Sequence, residues 1–300
     1  MTREMTQANK LGTPDWLGKL ADYWVLTKPE VNFLVVISAL VGFYLGTRGP
    51  LDLMLLVHTM LGTLLVASGT ATLNQYMERD DDAHMRRTSK RPLPAGRMAP
   101  WEALAFGLLL SVGGGAYLWL AVNPLSSFLA LFTLATYLLV YTPLKKKTPW
   151  CTFLGAFPGA MPPLIGWAAV RGSLSFEAAI LYAILFLWQF PHFLAIAWMY
   201  REDYARAGLK MLPENDADGR AAGRLILGYS LALVPVSLLP ALMGQVGFTY
   251  LFGALVMGLV FAHAGARMAA VRSNVLAKRL LLASIVYLPL VFALMMFDKR

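Results

Sequence analysis

Long apolar runs alternate with short polar connections along the whole chain. Nine runs come close to the roughly 20 residues that a helix needs to cross a bilayer. They lie near Val31–Gly46, Leu53–Met77, Trp101–Val122, Ser126–Tyr141, Cys151–Val170, Phe176–Tyr200, Leu225–Leu242, Phe248–Arg267 and Val275–Phe297. None shows the two-residue alternation of a membrane-spanning strand. Ahead of the first run, Trp16, Leu17, Leu20, Tyr23 and Trp24 recur at helical spacing beside Lys19 and Asp22, the pattern of a short helix lying in the membrane interface. The expected architecture is all-α and polytopic. An N-terminal interfacial segment, 1–24, precedes a single transmembrane domain, 25–300, of nine helices bundled around a central cavity open to the cytoplasmic side.

Composition narrows the class. Hydrophobic residues make up 58% of the 300 and charged residues 14%, against roughly 25% charged in soluble domains, and mean hydropathy is +0.57. A disordered chain, a disulfide scaffold and an ordinary soluble enzyme are excluded. The single cysteine, Cys151, excludes an internal disulfide and a cysteine zinc cluster. The net charge of +9 would raise nucleic acid as a partner in a soluble protein. Here its placement gives another reading, with no nucleic acid involved.

Of the 26 Lys and Arg, all but four fall on alternate connections. Arg3, Lys10, Lys19 and Lys28 precede the first run; Arg79, Arg86, Arg87, Lys90, Arg91 and Arg97 follow the second. Lys145, Lys146 and Lys147 follow the fourth, Arg201, Arg206, Lys210, Arg220 and Arg224 the sixth, and Arg267, Arg272, Lys278 and Arg279 the eighth. Arg48, Arg171, Lys299 and Arg300 are left for the other side. The positive-inside rule puts the first group and the N-terminus in the cytoplasm and the C-terminus outside. The first 24 residues lack the apolar stretch of a signal peptide, and Glu4, Asp15 and Asp22 argue against a mitochondrial presequence, so a bacterial inner membrane is expected.

Candidate chemistry gathers in the inner loops. Asn74, Glu78 and Asp82 stand at i, i+4 and i+8, drifting only about 40° per step on one helical face. Three oxygen-bearing side chains on one face suit Mg²⁺, which takes one or two carboxylates, keeps waters and accepts phosphate oxygens. Arg86, Arg87, Lys90 and Arg91 follow at once, a seat for a diphosphate. The plainer alternative is a charged helix end in water. Against it, Asn74 lies inside the apolar run, where an unpaired polar group is costly, and carboxylates at membrane depth are functional by default. A second cluster holds Tyr200 and Tyr204 at i, i+4, with Asp203 and Arg206; interfacial tyrosines alone are equally consistent with a belt anchor. Lys145 and Lys146 serve either as topology signal or as phosphate contacts. His58 and His263 lie within runs and read as packed or hydrogen-bonded. His192, beside Pro191 in a run, is open to ligating haem iron as a neutral imidazole.

The stretch Asn74–Pro92 carries a family resemblance. The sequence resembles the UbiA superfamily of intramembrane prenyltransferases, and within it the protohaem IX farnesyltransferase (haem O synthase) branch. The resemblance rests on Leu26-Thr27-Lys28-Pro29; Asn74-Gln75-Tyr76 through Glu78-Arg79, Asp82, Arg87-Thr88 and Arg91-Pro92-Leu93-Pro94; Tyr141-Thr142-Pro143-Leu144-Lys145; Gly159-Ala160 and Pro162-Pro163-Leu164-Ile165-Gly166-Trp167; and Trp188-Gln189, Pro191-His192-Phe193, Asp203-Tyr204, Ala207-Gly208 and Met211-Leu212-Pro213. It implies farnesyl transfer from farnesyl diphosphate to a vinyl group of haem b, with water addition, and Mg²⁺ as cofactor. It implies Asn74, Glu78 and Asp82 as metal ligands, which act in catalysis with Arg87, Tyr200, Asp203 and Tyr204. Arg86, Lys90, Arg91, Lys145, Lys146 and His192 would bind substrate, and Tyr76, Tyr200 and Tyr204 are candidates to face an allylic cation. A downstream haem A synthase or terminal oxidase assembly is the implied protein partner. The superfamily's first motif, Asn-x₃-Asp-x₃-Asp, has Glu78 at its centre here. The second, Asp-x₃-Asp-x₃-Gly, has Tyr200 and Tyr204 at its two acidic positions, counted back from Gly208. That departure leaves metal binding at the second motif open, with Asp203 the nearest carboxylate.

Three competing readings stand beside this one: a prenyltransferase of the same fold acting on a quinone precursor or other aromatic acceptor, a polyprenyl-phosphate or anion transporter, and a non-catalytic assembly factor.

Overall fold

The computed structural model describes residues 15–213, 216 and 218–300; Arg3, Glu4 and Lys10, with the first 14 residues of the expected N-terminal segment, lie outside them. Among the described residues there is no strand beyond one isolated bridge, Val246 to Lys299. The helices in chain order are α1 (Asp15–Thr27), α2 (Pro29–Gly46), α3 (Leu53–Met77), α4 (Arg79–Ala83), α5 (Pro100–Ala121) and α6 (Pro124–Thr136). A π-helical turn, Tyr137–Tyr141, joins α6 to α7 (Thr142–Leu144). Then come α8 (Cys151–Gly159), α9 (Pro162–Arg171), α10 (Phe176–Met199), α11 (Arg201–Arg206), α12 (Arg220–Leu242), α13 (Phe248–Val271) and α14 (Asn274–Phe297). Grouped into continuous rods they give nine segments long and apolar enough to span a membrane among the described residues, the nine expected, and the chain is a multi-pass membrane protein.

Two spans differ from the simple rods that hydropathy suggests. The fifth run is two helices, α8 and α9. Pro162 and Pro163 have no N–H to continue the ladder, so the chain turns at Ala160 and Met161. The amide of Gln189 on α10 donates to the Ala156 carbonyl at 2.8 Å. The fourth run continues past Tyr141 to Leu144 by widening into the π turn, a local insertion that often marks functional sites.

The loops sort onto two faces. On the far face the chain end meets the α12–α13 connection, with Gly247 N bonded to Asp298 O at 2.9 Å, and Lys299 Nζ reaches the last carbonyls of α2. Asn123 bonds the end of α9 there. On the near face, Arg201 bonds Asn274 at 2.9 Å, tying the α10 end to the start of α14. Helix α1 also docks on the near face: Lys19 pairs with Glu102 at 2.8 Å, Arg97 with Asp22 at 2.9 Å, and Tyr23 packs edge-on against Phe106. Its Trp16, Leu20 and Trp24 stay exposed, as an interfacial helix requires.

Without water to drive burial, spanning helices associate by close packing of small residues. The α2–α9 contact is the tightest of these. A Cβ on Gly42 would stand 1.9 Å from the Pro163 carbonyl oxygen, and one on Gly166 would stand 1.8 Å from that of Ala39. Both obstacles are backbone, so neither can swing aside. Gly166→Ala should therefore destabilise the protein by about 1–3 kcal/mol. Cys151 is the only thiol and fully buried, so its modification by a thiol-reactive dye on heating reads the transition directly. An unchanged midpoint would contradict this packing.

Candidate active site at the near face

The site begins at the end of α3. Glu78 caps that helix, yet the ladder carries on across it: Glu78 N bonds Asn74 O at 2.9 Å and Asp82 N bonds Glu78 O at 2.8 Å. Asn74, Glu78 and Asp82 therefore keep helical register through the α3–α4 joint. All three are buried, at 1%, 9% and 1% exposure, which a solvated helix end would not be.

Each is met by a cation from a different stretch of chain. Lys28 Nζ donates to Asn74 Oδ1 at 3.0 Å, Lys145 Nζ to Glu78 Oε1 at 2.5 Å, and Arg91 to Asp82 Oδ2 at 2.6 Å. Lys146 pairs with Asp81 at 2.7 Å. Asn74 Nδ2 donates to Thr142 Oγ1 at 3.2 Å, and Thr142 in turn bonds the Tyr137 carbonyl across the π turn. That turn brings both Tyr137 and Tyr141 beneath Lys145, whose ammonium lies 4.4 Å from the Tyr141 ring centre and 5.9 Å from that of Tyr137.

Lys28 is delivered by a constrained elbow. Gln75 Nε2 donates to the carbonyls of Val25 and Leu26, and Asn32 Nδ2 to Thr27 O at 2.6 Å. Between these ties Lys28 takes a left-handed conformation, φ 49° and ψ 63°, uncommon for a residue with a Cβ. Such strain persists where its surroundings over-determine it.

The electrostatics follow from enclosure. Burial pushes the Glu78 carboxyl up, but Lys145 beside it, with Lys28 and Asn74 behind, brings it below the usual carboxylate range. Burial opposes the Lys145 charge, yet Tyr141 and Glu78 around it hold its pKa above the ordinary lysine value. Burial first, then Arg91 and Lys145, pull the Lys28 ammonium down to about 7 against the opposing pull of Glu78 and Asp82.

The second motif faces this cluster across the loops. Tyr204 N bonds Tyr200 O at 3.0 Å, so helical register runs through the α10–α11 joint as well. The Arg87 guanidinium sits 5.2 Å from the Tyr200 ring centre. Asp203 is paired with Arg206, and Arg206 also reaches the His84 carbonyl. Tyr204 lines a cavity of about 440 Å³ with Arg201, Lys210 and Leu212.

The structure thus gathers Asn74, Glu78, Asp82, Arg91 and Lys145 directly, with Arg87 and Tyr200 adjoining through the second motif. Arg86 and Lys90 are exposed. Tyr76 packs into the small core with Leu26 and Leu93, with Arg79 over its ring. His192 is held by Ser284 Oγ at 2.7 Å and stacked on Trp188; neither partner belongs to the acidic face. His58 bonds Tyr117 at 2.6 Å. Lys28, Thr142, Tyr137 and Tyr141 are site residues that sequence reasoning did not assign. Only the Lys28-Pro29 step and the Tyr141-Thr142-Pro143 turn hinted at them.

The donor set suits a hard divalent ion bridged to substrate. Among the described residues no group of three or more His, Cys, Asp or Glu forms a closed metal cage. Two carboxylates and an amide oxygen, already dehydrated and faced by positive charge, match the way Mg²⁺ binds through one or two carboxylates plus phosphate oxygens.

The chain matches the UbiA prenyltransferase family over residues 35–285. It is 51% identical to the protoheme IX farnesyltransferase of Solibacter usitatus over 93% of this chain and 99% of that protein. Its identity to the protoheme IX farnesyltransferase of Koribacter versatilis is 46%, over 98% of each. Among solved structures, digeranylgeranylglyceryl phosphate synthase superposes with a TM-score of 0.77 at 18% identity, covering 94% of this chain and 98% of that one. A UbiA homolog from Archaeoglobus fulgidus, bound to DMAPP and Mg²⁺, superposes at 0.67 and 18%, covering 91% and 99%.

The Glu78–Lys145 pair allows a direct test. Removing one partner of a buried pair strands the other charge and costs about 3–5 kcal/mol. Lys145→Met should lose about that much stability, and Glu78→Gln with Lys145→Met should recover part of it; equal midpoints for the two variants would refute the coupling. The pH dependence has a sign. Glu78, lowered, contributes above its unfolded pKa of about 4.3 and loses that contribution as pH falls through its folded value; Lys145, raised, contributes below about 10.4 and loses it as pH rises through its folded value. The thermal midpoint should therefore show no loss from this pair between about pH 5 and about pH 10.

Proposed function

The chain belongs to the UbiA prenyltransferase family, and on that premise we propose that it transfers a farnesyl group from farnesyl diphosphate to a vinyl group of haem b, with addition of water, giving haem O and diphosphate. The carrying observation is the buried face of Asn74, Glu78 and Asp82, each met by a cation. The identity to protoheme IX farnesyltransferases over nearly the full chain supports the acceptor. The charge alternation favours a near face that is cytoplasmic, in a bacterial inner membrane, and the reading takes the helix bundle to enclose a hollow opening there.

Asn74, Glu78 and Asp82 would hold Mg²⁺, which when bound stabilises the leaving diphosphate as a Lewis acid. The chain's own cations do the rest. Lys28, Lys145 and Arg91 already stand within hydrogen-bond distance of these three side chains. From these positions their ammonium and guanidinium groups would reach phosphate oxygens without long side-chain movements. They oppose negative charge where it builds as the C1–O bond of farnesyl diphosphate breaks, the kind of preorganised stabilisation that contributes most to catalysis. Arg87 adds a guanidinium suited to two oxygens at once. The terminal vinyl carbon of haem b forms the new bond to C1. The positive charge left on the inner vinyl carbon is taken by water, which loses a proton to solvent.

Tyr137, Tyr141 and Tyr200 present ring faces around the same mouth, and aromatic faces stabilise cations. These rings also keep bulk water away from an allylic cation. For the porphyrin, His192 is the imidazole in reach of the apolar interior. Its Nδ1 is engaged by Ser284, which leaves Nε2 as the nitrogen to meet iron. Haem O would pass to a haem A synthase or to oxidase assembly.

Purified protein supplied with haem b, farnesyl diphosphate and Mg²⁺ should yield a haem heavier by one farnesyl group and one hydroxyl; a prenylated quinone precursor with no haem product would sink the proposal. Glu78→Ala and Asp82→Ala should each lower turnover by about 10²–10³ or more while the protein still inserts, and near-normal product formation by either would remove the metal assignment. His192→Ala should weaken haem binding more than farnesyl diphosphate binding, measured by haem absorbance and by equilibrium dialysis. Unchanged haem affinity would discard that role.

A further inference from the structure

Charge alternation leaves four basic residues on the far face, and the fold does not scatter them. Arg48, Arg171, Lys299 and Arg300 all line one cleft of about 710 Å³ between the ends of α2 and α9, the start of α10 and the chain end. Glu177 is the single carboxylate among the lining side chains, so three positive charges are left in excess.

These cations are not equivalent. Lys299 is committed to structure: its ammonium bonds the carbonyls of Tyr44 at 2.6 Å and Thr47 at 2.7 Å, closing the end of α2. Arg171 lies with its guanidinium 5.7 Å from the Trp167 ring, and its Nε is buried without a hydrogen-bond partner. Gln245 Nε2, in the wall of the same cleft, is also buried without one. Both are donors. Buried donors are normally satisfied, and the missing complement here is an acceptor carrying negative charge.

The cleft lies at the ends of the spanning helices, with Leu45 and Trp167 as its apolar wall. Helix α10, whose 24 residues measure about 36 Å, separates it from the acidic face at the opposite end. A ligand held at one end does not reach the other. The inference is therefore independent of the transfer reaction.

We propose that this cleft is a phosphate-binding site for the headgroup of an anionic phospholipid in the far leaflet, with Arg48 and Arg171 as the principal cations and Gln245 as a neutral donor. A phosphodiester on two acyl chains supplies the acceptor oxygens, the negative charge and the apolar body that the cleft provides for. Free inorganic phosphate shares the recognised chemistry and is the other source.

The test uses the full chain in nanodiscs of mixed phosphatidylglycerol and phosphatidylcholine, with retained lipid counted by native mass spectrometry. Wild type should retain phosphatidylglycerol preferentially. The double variant Arg48→Gln, Arg171→Gln should lose that preference by roughly thirtyfold, the scale expected for two arginines beside an anionic headgroup. Protection of the buried Cys151 thiol verifies that the variant is folded. If millimolar inorganic phosphate in pure phosphatidylcholine raises the thermal midpoint of wild type and not of the variant, the oxyanion site stands and free phosphate is its source. Equal retention of the two lipids by wild type, with no stabilisation by phosphate, overturns the proposal however the variant behaves, as does a folded variant with undiminished preference.

Discussion

Two buried carboxylates and one buried amide at the end of a membrane helix set the terms for this molecule. An ionised carboxylate out of water is tolerated only when opposite charge and hydrogen bonds meet it. Glu78 and Asp82 receive those from Lys145 and Arg91, and Asn74 receives a hydrogen bond from Lys28. The three cations come from the α1–α2 elbow, the loop after α4 and the turn after α7. Neutralising one face of one helix thus draws separate connections into a single mouth, and much of the near-face architecture follows. The left-handed Lys28, the ties of Gln75 and Asn32 to the elbow, and the π turn that brings Tyr141 under Lys145 all serve to hold a basic side chain against a buried oxygen of that face.

Much of this was legible in the sequence because membrane helices announce themselves. The runs matched the observed spans to within a few residues, and Leu53–Met77 matched at both ends. The i, i+4, i+8 spacing of Asn74, Glu78 and Asp82 also survived, because the ladder crosses the joint at Glu78. Other features were hidden for identifiable reasons. Hydropathy sums over a window, so it cannot see Pro162 and Pro163 splitting the fifth run, nor the π turn widening the fourth. Lys28 counts as a topology charge until the fold bends α1 back and shows where its ammonium ends. Arg86 and Lys90 look as basic as Arg91, but the tight turns after α4 leave those two exposed and bring Arg91 onto Asp82, and one-dimensional spacing holds no information about turns of that kind.

The two faces use positive charge differently. On the near face Lys145, Arg91 and Lys146 stand against carboxylates and Lys28 against an amide oxygen, while Arg87 lies over a tyrosine ring. On the far face the cleft has four cations against one acid, and buried donors there lack acceptors. Basic residues are therefore largely matched by acids at one end and in excess of them at the other. Net charge alone would not separate them.

The second motif bears on the first through this same accounting. Where the superfamily pattern has carboxylates, this chain has Tyr200 and Tyr204, and the neighbouring Asp203 is occupied by Arg206. A carboxylate at 200 would stand beside Arg87 and cancel its charge. The tyrosine instead offers the guanidinium a ring face at 5.2 Å, which attracts a cation weakly, by about 0.5–1 kcal/mol at an exposed site, and leaves its charge and donors unspent. The exchange removes negative charge from the mouth and keeps Arg87 available. More positive charge is thereby left beside the first motif, where Asn74, Glu78 and Asp82 each already have a basic side chain within hydrogen-bond distance.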